Sequence, residues 1–187
     1  MTKRDELRDL LVRRSVRLGT FTLASGATSD YYIDARLTTM SAHGQRLIGE
    51  VAWRLVAESG LDPTHVGGLT LGADPIAYAI AHRSALEGAT IDAFTVRKQA
   101  KEHGTGQLIE GGLPVDGRAL MIEDTMTTGR STMKAVEAVR AHGTEIVGVL
   151  TIVDRSDAAQ ALFHNEGLPL ISVFTGSELL DAARSRP

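Results

Sequence analysis

Residues 119–132 read ALMIEDTMTTGRST, and the order of residue types in them decides the fold. Ala119, Leu120, Met121 and Ile122 form a continuous apolar run of the kind a central parallel strand buries on both faces. The run stops at Glu123 and Asp124, so both acids fall at that strand's carboxyl end. Thr125, Met126, Thr127, Thr128, Gly129 and Arg130 then make a loop rich in hydroxyls, and Ser131 and Thr132 lead into MKAVEAVRAHG. Ala135, Val136, Ala138 and Val139 give that stretch an apolar helical face, and Gly143 ends it. The unit is strand, loop, helix. A helix N-terminus presents unpaired backbone N–H groups and positive dipole charge, which suit a phosphate, while two carboxylates just upstream suit hydroxyls or a metal ion. A Walker A loop is excluded, because it needs a lysine after the glycine and Arg130 follows Gly129. No GxGxxG fingerprint opens a helix elsewhere.

The same unit recurs on either side. Downstream, TEIVGVLTIVD (144–154) is a near-continuous apolar strand ending in Asp154 and Arg155, followed by a short helix, a strand around 168–174 and a polar helix from Ser177. Upstream, VGGLTL (66–71) reads as a buried strand, GADP as a loop and IAYAIAHRSALE as a helix. Residues 41–59 carry Ile48, Val51, Ala52, Leu55 and Val56 at helical spacing before Gly60, and residues 91–96 read as a strand. At the start, Leu7, Leu10, Leu11 and Leu18 predict one amphipathic helix over 4–18, ended by Gly19. FTLASGATSDYYIDAR (21–36) predicts a hairpin with Tyr31 and Ile33 on one face and Tyr32 and Asp34 on the other. Alternating strands and helices make this an α/β protein. The expected form is a mostly parallel central sheet flanked by helices, with ligands at the crevice where the strand order reverses.

Composition narrows the function. The chain has 187 residues, which suits one domain, and 43% hydrophobic with 23% charged residues is ordinary for a soluble globular protein. A net charge of −3 offers no general attraction to nucleic acid or anionic membrane, so any phosphate must be met by a local basic cluster. With no cysteine, disulfides, thiolate metal sites and a thiol nucleophile are ruled out, which is compatible with the cytoplasm. No apolar run approaches a membrane span, and the N-terminus mixes acids with bases rather than forming a signal peptide. The one dense basic cluster on glycine-rich backbone is RKQAKEHGTGQLIEGG (97–112): Arg97, Lys98, Lys101 and His103 precede Gly104, Gly106, Gly111 and Gly112. A lid over a polyphosphate needs that combination.

The central stretch resembles the phosphoribosyl pyrophosphate (PRPP) signature of the type I phosphoribosyltransferases. FTLASGATSDYYID and RKQAKEHG are similar to the hood and the catalytic loop of that family's orotate branch. The resemblance implies a single phosphoribosyltransferase domain over 1–187, with a hood at about 1–40 and a flexible catalytic loop at about 98–112. It implies that Glu123 and Asp124 meet the ribose hydroxyls and that 125–131 (Thr125, Met126, Thr127, Thr128, Gly129, Arg130 and Ser131) cradle the 5′-phosphate. Arg97, Lys98, Lys101 and His103 would bind PRPP. Lys101, His103 and Asp124 would be catalytic, and Tyr32, Ile33, Thr127 and Arg155 would bind orotate. Also implied are Mg²⁺ held through substrate oxygens, no certain protein ligand to it, and a homodimer whose loop reaches the neighbouring site. Leu71, Gly72 and Ala73 would wrap the pyrophosphate. The chain departs from the pattern at Ala24, where many family members carry lysine, and at Gly72, where some do. A transferase for another base would share the central loop but has less reason for the basic loop and Arg155. A non-enzymatic PRPP sensor would be expected to carry a DNA-binding segment or to lack the catalytic basic residues, and neither is seen.

Overall fold

The structure, a computed structural model, describes residues 1–22, 28–99 and 107–186. Helix α1 (Lys3–Arg14) opens on a capping box in which the Thr2 hydroxyl accepts from the Asp5 N–H while the Asp5 carboxylate accepts from the Thr2 N–H. It buries Leu7, Leu10 and Leu11, then stops before the expected end at Leu18. Residues from Val16 onward instead form β1 (Val16–Thr22), antiparallel to β2 (Thr28–Ile33), and Leu18 is left 51% exposed. Val16, Thr20 and Thr22 are β-branched and favour extended backbone, and pairing with β2 outweighs one more apolar helical position. Ile33 on β2 is buried and Tyr31 packs against the same core, as alternation predicts, while Tyr32 faces out.

Helix α2 (Arg36–Thr39) is one turn long; α3 (Ala42–Ser59) follows, capped by the Ser41 hydroxyl and closed by Gly60 in the left-handed region at φ 72°. Then come β3 (His65–Leu69), α4 (Asp74–Leu86), β4 (Asp92–Val96), β5 (Ile109–Glu110) and β6 (Arg118–Met126). The chain ends with α5 (Arg130–His142), β7 (Glu145–Asp154), α6 (Ala158–Asn165), β8 (Leu170–Thr175) and α7 (Gly176–Arg184).

The main sheet has the order β5-β4-β3-β6-β7-β8, parallel except for β5. β5 lies inside the stretch expected as one loop: Ile109 and Glu110 pair with Val96 and Thr95, covering the otherwise open edge of β4. β6 sits among the central strands and is buried on both faces by alternation. Leu120 and Ile122 join Leu11, Ile48, Val66 and Ile76 under α1, α3 and α4, whereas Ala119 and Met121 pack with Val136 and Val139 of α5 and Phe163 of α6. The chain crosses from the β3–β4 half to the β6–β7 half at the neighbours β3 and β6, so the order reverses there and a crevice opens at their carboxyl ends.

Candidate active site

β6 runs further than its apolar core. Glu123 lies opposite Thr151, Thr125 opposite Val153 and Met126 opposite Asp154, so the ladder to β7 carries the acids into the sheet's rim and leaves only 127–129 as loop. Consecutive strand residues point to opposite faces. Glu123 turns toward α5, where its Oε2 accepts from the Thr132 hydroxyl at 2.8 Å, and Asp124 is fixed by the Thr125 N–H, which donates to its Oδ1 at 2.7 Å. Burial, reinforced by the charge of Asp124, pushes the Glu123 carboxyl up to about 7, and burial raises Asp124 as well. The positive charge of Arg36 works the other way on Asp124. Two acids withdrawn from water beside each other are held ready for a partner that offers hydroxyls or positive charge.

They line a cleft of about 390 Å³. One wall is the β3–α4 loop: Leu69, Thr70, Leu71 and Gly72, with a cis Thr70–Leu71 peptide. Asp74 pins that loop by accepting from the Thr70 hydroxyl at 2.7 Å and the Thr95 hydroxyl at 2.8 Å. A second wall is the start of α5, with Thr125, Thr127 and Ser131. Its N-cap is Gly129 at φ 73°, and no side chain among the described residues caps the helix, so its first N–H groups are open to a ligand. The hood supplies the third wall through Tyr32, Ile33, Asp34, Ala35 and Arg36, and Lys98 stands at the end of β4.

Arg155 closes the cleft beyond β7. Its N–H donates to the Met126 carbonyl at 2.7 Å and the Ser156 hydroxyl donates to the Thr127 carbonyl at 2.7 Å, which ties the ends of β6 and β7 together. Its guanidinium lies 5.0 Å from the Tyr31 ring centroid, and its buried Nε has no hydrogen-bond partner among the described residues. A buried donor without a partner on a cleft wall is matched by an acceptor on a ligand.

The expected residues therefore divide. Glu123, Asp124, Thr125, Thr127, Ser131, Lys98, Tyr32, Ile33 and Arg155 converge on one cleft. Thr128, Gly129 and Arg130 shape the helix start without lining it, and the Met126 side chain is buried in the core, 2% exposed, so only its backbone is near. Arg97 is turned toward β5, with Nη1 3.8 Å from Glu110. Lys101, His103 and Ala24 lie outside the described residues. Sequence reasoning missed Thr70 and Arg36 as cleft residues and Asp74 as the loop's anchor. An acid at the fourth residue after a threonine was the only local sign of the Thr70–Asp74 bond. No group of three or more His, Cys, Asp or Glu among the described residues is placed to hold a metal ion. Two carboxylates alone fit an ion that arrives on substrate oxygens and keeps its waters, not one caged by protein.

A phosphoribosyl transferase domain is matched over residues 40–164. The chain belongs to the phosphoribosyl transferase family. Its relatives narrow the class. The orotate phosphoribosyltransferase of Aquifex aeolicus is 44% identical over 183 residues, covering 96% of this chain and 99% of that one. The Mycobacterium tuberculosis orotate phosphoribosyltransferase, solved in complex with PRPP, superposes with a TM-score of 0.77 at 41% identity over 95% of this chain and 99% of that one. A phosphoribosyltransferase from Corynebacterium diphtheriae gives 0.83 at 41% identity over 96% and 99%. The particular proteins it resembles from end to end are thus orotate phosphoribosyltransferases.

Proposed function

We propose that this chain transfers the 5-phosphoribosyl group from PRPP to orotate, giving orotidine 5′-monophosphate and pyrophosphate, as a step of pyrimidine nucleotide synthesis in the cytoplasm. The observation that carries the reading is the pairing across one cleft of the Glu123–Asp124 acids, beside a helix start uncapped among the described residues, with an Arg155 donor that has no partner among them. The acids accept from the ribose 2′ and 3′ hydroxyls, directly or through waters of a metal ion. The open N–H groups of α5, with Thr127 and Ser131, receive the 5′-phosphate. The Arg155 fork suits the planar orotate anion, with Tyr32, Ile33 and Thr127 around the ring.

The ring nitrogen of orotate, giving up its proton to solvent, attacks C1 of the ribose as the C1–O bond breaks, and the bonding pair leaves on the pyrophosphate oxygen. No protein nucleophile is needed. Charge builds on the leaving group, and Lys98, Lys101, His103 and Arg97 are the residues that stabilise it. Mg²⁺ arriving on the substrate, beside Glu123 and Asp124, would supply further positive charge to the pyrophosphate. In a homodimer, the segment bearing Lys101 and His103 serves the neighbouring subunit's site. The test is turnover of orotate with PRPP and Mg²⁺, followed by loss of orotate absorbance. A folded protein that leaves orotate unconsumed overturns the reading.

A further inference from the structure

Gly72 brings no side chain to the β3–α4 loop, so that wall of the cleft carries no cation at this position. A Cβ at Gly72 would lie 2.9 Å from Asp124 Oδ1 and 3.2 Å from Glu123 Oε1, so the bare glycine lets the two carboxylates sit against the loop backbone. A cation facing that loop has to come from another element. Arg36, at the first turn of α2, is placed for this. Asp34 clamps it at two points: Oδ1 accepts from Nε at 2.9 Å and Oδ2 from Nη2 at 3.2 Å, and the Arg36 N–H also reaches Oδ1 at 3.2 Å. Nη1 makes no hydrogen bond among the described residues, and the side chain is 48% exposed. Arg36 borders both the cleft, with Gly72 and Asp124, and the adjoining groove, with Leu71. It therefore flanks the β3–α4 loop on its solvent side, and its charge is felt by Asp124.

We propose that Arg36 contacts substrate in this chain: the guanidinium, aimed by Asp34, binds the pyrophosphate arm of PRPP from the hood side and supplies a cation that the β3–α4 loop, with Gly72, does not offer. The inference rests on the transferase reading. Its chemistry is a bidentate clamp that spends two donors on Asp34 and leaves Nη1 for a phosphate oxygen.

The test uses Arg36→Gln, which stays neutral, and Arg36→Lys, which keeps the charge. Each is checked for folding by thermal melting, and calorimetric titration with inorganic pyrophosphate and Mg²⁺ measures binding. Arg36→Gln should weaken pyrophosphate about tenfold or more, the loss of one charge-assisted hydrogen bond, and Arg36→Lys should recover part of it. In turnover, the KM for PRPP should rise by a similar factor while that for orotate stays near wild type. A merely structural role would not split the two substrates. Wild-type pyrophosphate affinity in a folded Arg36→Gln protein overturns the proposal, as does a rise confined to the orotate KM. Should Arg36→Gln fail to fold, Arg36→Lys with unchanged pyrophosphate affinity and unchanged KM values would count against it, since the fork is then dispensable. If the wild type binds pyrophosphate but never consumes orotate, the transferase reading fails while the titration still decides the role of Arg36.

Discussion

Glu123 holds its proton to about pH 7 because the fold buries it beside Asp124. Its ordinary value is 4.5, so between those two points the folded chain binds a proton that the unfolded chain has released. Stability from this group is therefore present at low pH and lost as pH rises from about 4.5 through about 7, at no more than ~1.4 kcal/mol per pH unit. Glu123→Gln should remove that slope. In urea unfolding at a series of pH values, wild-type stability minus that of the variant should fall across the window and level off above it; a flat difference would show that the site does not perturb Glu123. Arg155 makes a second prediction. Its buried Nε has no partner among the described residues, so Arg155→Ala should raise the KM for orotate roughly tenfold or more while changing that for PRPP little, the loss of a charged donor to a planar anion. Equal effects on both substrates in steady-state kinetics would assign Arg155 to holding β6 and β7 together instead.

At the scale of the element, the β6–α5 turn depends on a single backbone conformation. Gly129 adopts φ 73°, and a Cβ there would come within 2.9 Å of Phe163 and 3.0 Å of Leu162 on α6. Gly129→Ala meets left-handed strain of about 1–2 kcal/mol as well as this crowding. For a chain of this size each kcal/mol lowers the melting temperature by roughly 2–4 °C, so a drop of several degrees is expected by calorimetry. Because the same turn aims the first N–H groups of α5, PRPP affinity should fall too. A folded variant that melts early yet binds PRPP as tightly as wild type would detach the helix start from the phosphate.

At the scale of the molecule, the proposed dimer places Lys101 of one subunit with Asp124 of the other. Lys101→Ala and Asp124→Asn should each be nearly inactive, each losing on the order of 3 kcal/mol of transition-state stabilisation. Mixed under conditions of subunit exchange, half of the dimers carry one site with both defects and one with neither, so activity should return to about a quarter of wild type for a closed two-fold assembly. A mixture that exchanges subunits, shown by mass, and stays as inactive as its parents would place the segment over its own site.

Local chemistry settles along the chain what long-range packing need not touch. The apolar run from Ala119 to Ile122, the acids after it, the helical spacing of α3 and α5 and their closing glycines were legible in the sequence because strand and helix periods and caps are properties of neighbouring residues. The α/β class and most of the cleft followed from them. Where α1 ends was not legible, since Leu18 fits a helical face and only pairing with Tyr31 across the hairpin makes it strand. Nor was β5, whose two residues are strand solely because β4 offers an open edge. Nothing in their neighbours marked Arg36, at the end of the hairpin stretch, or Thr70, within a stretch that reads as buried strand, as cleft residues; folding brings both to the cleft that Asp124 lines. The raised proton affinity of Glu123 is tertiary in the same sense: a carboxyl acquires it only when the chain withdraws it from water and sets a second charge beside it, and no run of adjacent letters encodes that distance.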